Sequence, residues 1–168
     1  MTPYVNAADL LIQFGSHEAA QISFPKDSTV QPDAALLEAT IHVDDRSGWS
    51  AEQQAAADEA HTRLTEKCEA ATAEAEGYLR AGGYALPPTS LPKVLRDKTG
   101  DLARYYLYDD RPTETVRTNY EDALAWFRAV AKRTVVLDLG NADESQTAGM
   151  PDYSTPGRRW THDSLKDF

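Results

Sequence analysis

The stretch that decides the fold is Leu64-Thr-Glu-Lys-Cys-Glu-Ala-Ala-Thr-Ala-Glu-Ala-Glu-Gly-Tyr78. Apolar residues recur in it at steps of four, three, four and three, the period of one buried stripe on an α-helix. These residues are Leu64, Cys68, Ala71, Ala75 and Tyr78. Upstream, Ser50 and Gln53 have the spacing of a capping box, and downstream Gly82-Gly83 can end a helix. We therefore predict one long helix over residues 51–81.

The segments before this helix are shorter. Asn6 can cap a first short helix, and Gly15 can end it in a left-handed conformation. Asp33–Thr40 predicts two further helical turns. The β-branched and aromatic residues of Ile22–Phe24 and of Thr40–Val43 favour two short strands.

The segments after it favour two more helices and a strand. Ser90 is the predicted cap of a helix that extends to about Asp109, since Pro112 cannot continue it. Thr113 is the natural cap of the last long helix. The β-branched run Thr134-Val-Val-Leu-Asp-Leu139, which ends before a glycine, predicts a strand.

Together these elements predict a mainly α fold, a small bundle of about four helices with minor short strands. The helical domain covers residues 1–140, and 24–50 within it is predicted to be an insertion or loop region. From residue 141 to 168, turn-forming and polar residues dominate, which is typical of an extended arm. The arm is unusual in ending with aromatic residues.

The amino-acid composition excludes several classes of protein. The 168 residues carry 27 acidic and 17 basic side chains, a net charge of −10. A surface that grips nucleic-acid phosphates needs clustered Lys and Arg, so general nucleic-acid binding is not expected. We find no apolar run long enough to cross a membrane and no signal-peptide pattern at the start. The single cysteine fits synthesis in a reducing cytoplasm.

Residues with catalytic potential are few. His61 and Cys68 would lie roughly 10 Å apart along one helix, too far for a nucleophile and its base. Asp44-Asp45 and Asp109-Asp110 resemble acids that cap helices or face water. A hydrolase that uses either acid pair remains an alternative, but we expect no enzyme, no metal site and no cofactor.

A wider pattern surrounds the run Asp101-Leu-Ala-Arg-Tyr-Tyr-Leu-Tyr-Asp-Asp-Arg111. Together with the start of the chain, it resembles a family of small head–tail joining (neck, connector or adaptor) proteins of Mu-like tailed bacteriophages and prophages. The accompanying residues are Tyr4, Asp9–Leu11, Phe14-Gly15, Ala75–Arg80, Tyr84–Pro87, Val116, Arg117, Tyr120, Ala123 and Trp126. Within this pattern the resemblance implies eight fold-defining positions: Tyr78, Tyr84, Pro87, Arg104, Tyr105, Tyr108, Tyr120 and Trp126.

The resemblance implies a virion protein of the phage neck, made in the host cytoplasm. Copies of the chain would form a ring, expected to be a dodecamer, between the portal protein and a tail terminator or stopper protein. The ring would continue the DNA channel, and the genome would pass without sequence-specific binding. No membrane partner is expected.

Two sets of contact residues follow as hypotheses. Acids of the long helix would face the channel and repel DNA: Glu59, Glu66, Glu69 and Glu76. The end of the arm would contact the portal or a neighbouring subunit through Arg158, Arg159, Trp160, Leu165 and Phe168. The alternative function is an acidic protein-binding module, such as an inhibitor or regulator that mimics DNA.

Overall fold

The helix over Ala51–Ala81 is the longest element, and most of the others pack against it. The computed structural model describes residues 2–24 and 30–140. In chain order its helices are α1 (Ala7–Phe14), α2 (Ser16–Ile22), α3 (Ala34–His42), α4 (Ala51–Ala81), α5 (Lys93–Leu107) and α6 (Glu114–Ala131). Helices α1, α3, α5 and α6 all contact α4, and α2 packs on α1 and α3. The mainly α prediction is confirmed, and residues 2–24 and 30–140 form six helices where about four were predicted.

Both ends of α4 form as predicted. The Ser50 hydroxyl accepts a hydrogen bond from the Gln53 amide at 3.3 Å, and the Gln53 side chain accepts one from the Ser50 amide at 2.9 Å. At the other end Gly83 has a φ of +74°, a conformation that favours glycine. The amides of Gly83 and Tyr84 donate to the carbonyls of Arg80 and Leu79, which satisfies acceptors that the helix leaves free.

The buried side of α4 consists mainly of small residues. Its buried apolar side chains are Ala56, Ala57, Ala60, Leu64, Cys68, Ala71, Ala75 and Leu79. Larger side chains from other helices fill the space beside them, among them Leu102 of α5 and Phe127 of α6, both fully buried. The predicted stripe residue Tyr78 lies at the edge instead, where its ring stacks on Phe127 with centroids 5.6 Å apart.

The two short strands predicted before α4 are wrong. Ile22 ends α2, and residues 40–42 form the last turn of α3, so the Asp33–Thr40 helical prediction is confirmed and extended. The Asp33 side chain caps α3 by accepting from two amides. The helix ends because Val43 adopts a φ of +63°, and the Asp44 amide then donates to the Ala39 carbonyl. β-Branched residues at a helix end misled the prediction.

Two predictions after α4 are also wrong. Helix α5 begins at Lys93 after Pro92, and the amide of Ser90, the predicted cap, instead donates to the Leu139 carbonyl at 2.8 Å. Residues 134–139 form no strand, and none occurs elsewhere in residues 2–24 and 30–140. In place of a partner strand, the Tyr84 hydroxyl accepts a hydrogen bond from the Leu137 amide at 3.0 Å.

Removal of the Phe127 ring tests this packing. Because Phe127 is fully buried among the helices, Phe127→Ala is expected to lower the free energy of unfolding by roughly 3–5 kcal/mol in urea denaturation. The control is Ile12→Ala, since Ile12 is 85% exposed and should change the free energy of unfolding by less than about 0.5 kcal/mol. Equal effects of the two substitutions would contradict the described core.

Candidate interaction surfaces

Arg104 holds three helices together. Its Nε and Nη2 atoms donate to the two carboxylate oxygens of Glu18 at 2.6 and 2.9 Å, and the Tyr108 hydroxyl donates to the same carboxylate at 3.1 Å. The guanidinium also lies over the Phe14 ring, 4.5 Å from its centroid. Burial, and then the Glu18 charge, raise the pKa of Tyr108. Arg104 of α5 thus pairs with an acid of α2.

The remaining aromatic residues of the predicted pattern pack against one another. Tyr105 stacks on Tyr120 with centroids 3.9 Å apart and planes 10° from parallel. Trp126 meets Phe127 edge to face at 5.1 Å. These contacts fit rings that pack within the domain, as opposed to a platform that stacks nucleic-acid bases along a basic groove.

Tyr84 connects the linker after α4 to the segment after α6. Its ring is buried beneath the Arg133 guanidinium, 4.1 Å from the centroid, and Arg133 Nε donates to the Gly82 carbonyl at 2.6 Å. The Tyr84 hydroxyl accepts from the Leu137 amide. Residues that resemble the family pattern thus organise the packing of this domain.

An acidic row runs along the outer side of α4. Glu59, Glu66 and Glu69 are exposed, and Glu59 and Glu66 are separated by about 10 Å along the axis. Glu76 does not belong to this row, because it is only 4% exposed and accepts a hydrogen bond from Arg80 Nη2 at 2.9 Å. The hypothesis that Glu76 faces a channel is therefore corrected: the helix turns this carboxylate toward the N-terminal segment.

One acid of each acid pair has a local hydrogen-bond partner. Arg63 Nη2 donates to Asp109 at 2.6 Å and links α4 to the end of α5. Asp45 accepts from the amide and the hydroxyl of Ser47, both at 2.9 Å, and these hydrogen bonds lower its pKa. In the described ranges, no group of three or more His, Cys, Asp or Glu side chains could hold a metal ion.

A cavity of about 720 Å³ lies between the start of the chain, the end of α4 and the linker before α5. Its lining residues are Thr2, Pro3, Tyr4, Glu76, Arg80, Leu86, Pro87, Pro88, Thr89 and Leu91. The Tyr4 amide donates to Thr72 Oγ1 at 3.0 Å, and the buried Tyr4 hydroxyl lies beside the Glu76 carboxylate. Burial, and then the Glu76 charge, raise the pKa of Tyr4 above its ordinary range.

Sequence reasoning missed this cavity for a physical reason. Its walls come from three segments far apart in the chain, and periodicity reports only on neighbours within one helix or strand. The predicted contact residues Arg158, Arg159, Trp160, Leu165 and Phe168 lie outside the described residues. Among the helices that the structure describes, none is long and apolar enough to span a membrane.

These features define a helical protein whose aromatic and charged pattern is built into its packing. The family described as "Bacteriophage Mu, Gp36" matches residues 4–153. The chain therefore belongs to this bacteriophage family.

Two curated relatives agree with this membership. The chain is 32% identical over 132 residues to the "Mu-like prophage FluMu protein gp36" of Haemophilus influenzae, across 77% of this chain and 89% of the relative. It is 29% identical over 149 residues to "Gene product J" of Escherichia phage Mu, across 89% of this chain and 83% of the relative.

Cys68 provides a chemical test of the inner side of α4. It is fully buried, and burial raises the pKa of its thiol to about 12, so the reactive thiolate is scarce at pH 8. Iodoacetamide is expected to modify Cys68 only as fast as the protein unfolds. The rate of modification is measured by mass spectrometry. The matched control is Ile12→Cys in a Cys68→Ala background, which should react at the rate of a free thiol. Rapid modification of native Cys68 would contradict its burial.

Proposed function

We propose that this protein is a structural component of the phage neck. Copies of the chain form a ring between the portal protein and a tail terminator or stopper protein, and the ring continues the DNA channel. The observation that carries the proposal is membership of the Mu Gp36 family over residues 4–153, which include the aromatic pattern of α5 and α6. The ring is proposed to be a dodecamer in the virion.

The outer side of α4 supports a channel role. Glu59, Glu66 and Glu69 are exposed on one helix that extends for about 46 Å. A surface of one negative sign repels the phosphates of passing DNA, so the genome is not held during packaging or ejection. We propose that this row faces or overlooks the lumen of the ring.

The remaining charged groups fit a structural role. Asp109 is engaged by Arg63, and Asp45 by Ser47, so both acids have local partners that account for their presence. We propose no catalytic activity and no cofactor. The outward contacts to the portal or a neighbouring subunit are assigned to Arg158, Arg159, Trp160, Leu165 and Phe168, where aromatic side chains follow a basic pair.

Cryo-electron microscopy of particles from the encoding phage tests the location. The expected result is a ring of this chain between the portal and the tail. A particle whose neck lacks the chain would overturn the proposal. In that case the acidic row would favour the alternative, a binding module that mimics DNA, which would bind a basic partner with strong salt dependence.

Charge reversal tests the role of the acidic row. Glu59→Lys, Glu66→Lys and Glu69→Lys together are expected to make the ring retain DNA, because each Lys in contact with a phosphate adds roughly one unit to the salt slope of binding. Ejection should slow at low salt and recover at high salt, measured by DNA release from purified particles.

The matched control reverses three exposed acids away from this row, Glu38, Asp44 and Glu114, so that the net charge changes equally. Ejection should then keep its normal rate. Identical ejection from the two triple variants would contradict the assignment of the acidic row to the channel.

A further inference from the structure

The cavity beside Tyr4 lies next to the C-terminal end of the described part of the chain. The Leu139 carbonyl accepts hydrogen bonds from the amides of Thr89 and Ser90 at 2.9 and 2.8 Å, and Thr89 is part of the cavity wall. Gly140 follows directly, so close to this linker that an added Cβ would lie 3.1 Å from the Ser90 Cβ. Gly140, the last residue of the described range 30–140, therefore lies at the rim of the cavity.

The cavity has the size and chemistry of a site for an apolar side chain. Its volume of about 720 Å³ lies in the range that accepts a ligand the size of an aromatic residue with its neighbours. Pro3, Leu86, Pro88 and Leu91 supply apolar walls. The Arg80–Glu76 pair lies on one side and provides a polar border.

The predicted arm, residues 141–168, carries an aromatic side chain that matches the apolar walls of the cavity. Trp160 stands 20 residues beyond Gly140 and offers the largest apolar side chain in the segment 141–168. A random coil of that length has an end-to-end distance of about 25 Å. Its effective concentration at the rim is then in the millimolar range, above any concentration of a second copy in dilute solution.

We propose that this cavity binds the C-terminal segment of its own chain, with Trp160 as the anchor, in the free protein before assembly. The indole packs on the proline and leucine walls, which removes an aromatic side chain from water. An arm held in this way keeps its apolar end covered until a partner displaces it. This inference does not depend on the proposed ring.

Nuclear magnetic resonance of the full chain tests the docking. The Trp160 indole N–H signal is assigned with Trp160→Phe and compared with the indole of Trp126, which is packed within the domain. Docked Trp160 should have an order parameter of about 0.85, like Trp126, whereas Leu86→Glu should lower it below about 0.6. Thr89→Glu, at an exposed position of the rim, serves as a second variant if Leu86→Glu fails to fold.

The control substitution is Val94→Glu, at an exposed position outside the cavity wall, which should leave the Trp160 order parameter unchanged. A mobile Trp160 indole in the unmodified chain, or one that is insensitive to both cavity variants, would overturn the proposal.

A spin label distinguishes docking of the arm in the cavity of its own chain from docking in the cavity of a neighbouring copy. A nitroxide on Thr2→Cys lies at the cavity, while the native Cys68 is buried and stays unlabelled. Docking within one chain predicts that the label broadens Trp160 of the same chain, and that Leu86→Glu removes the broadening. Broadening of Trp160 in unlabelled isotope-enriched chains mixed with labelled ones would show a neighbouring copy in the cavity and would overturn docking within the chain.

Discussion

The structure depends on one constraint: the surrounding helices lie close to the side of α4 that carries small residues. Ala57, Ala60, Ala71 and Ala75 are fully buried, so the large side chains between the helices come mainly from the partners of α4. Leu102 and Phe127 occupy the space that the alanines leave. In an interior packed at crystal density, this division of large and small residues sets how near α5 and α6 lie to α4.

The same helix organises the surfaces to which we assign function. Its outer side carries the exposed glutamates, and its last turns present Glu76 and Arg80 to the cavity. Gly82-Gly83 then turns the chain, so that Tyr84 enters the core beneath Arg133 and the proline-rich linker forms the cavity rim. The packing of the helices, the position of the acidic row and the position of the cavity therefore follow from where α4 begins and ends and from which of its sides is buried.

Sequence patterns predicted those features that depend on neighbours along the chain. The capping residues Asn6, Ser50 and Thr113 and the apolar period of α4 all report on local geometry, and each is confirmed, except that Tyr78 of the period lies at the edge of the core. The predicted strand at 134–139 failed because its backbone is satisfied by distant groups of the linker and by Tyr84. Glu76 was misjudged for a similar reason, since its burial is decided by the N-terminal segment that packs beside it. The family resemblance supplied the phage assignment, which helix periodicity alone does not contain.

The most direct test of the account enlarges a buried alanine of α4. Ala71→Leu is expected to lower the free energy of unfolding by roughly 1–3 kcal/mol in urea denaturation, because the added side chain must push α4 away from its neighbours. Ala73→Leu, on the exposed side of the same helix, should change it by less than about 0.5 kcal/mol. A larger loss from Ala73→Leu, or an unchanged stability with Ala71→Leu, would contradict the claim that small residues on α4 set the packing of this protein.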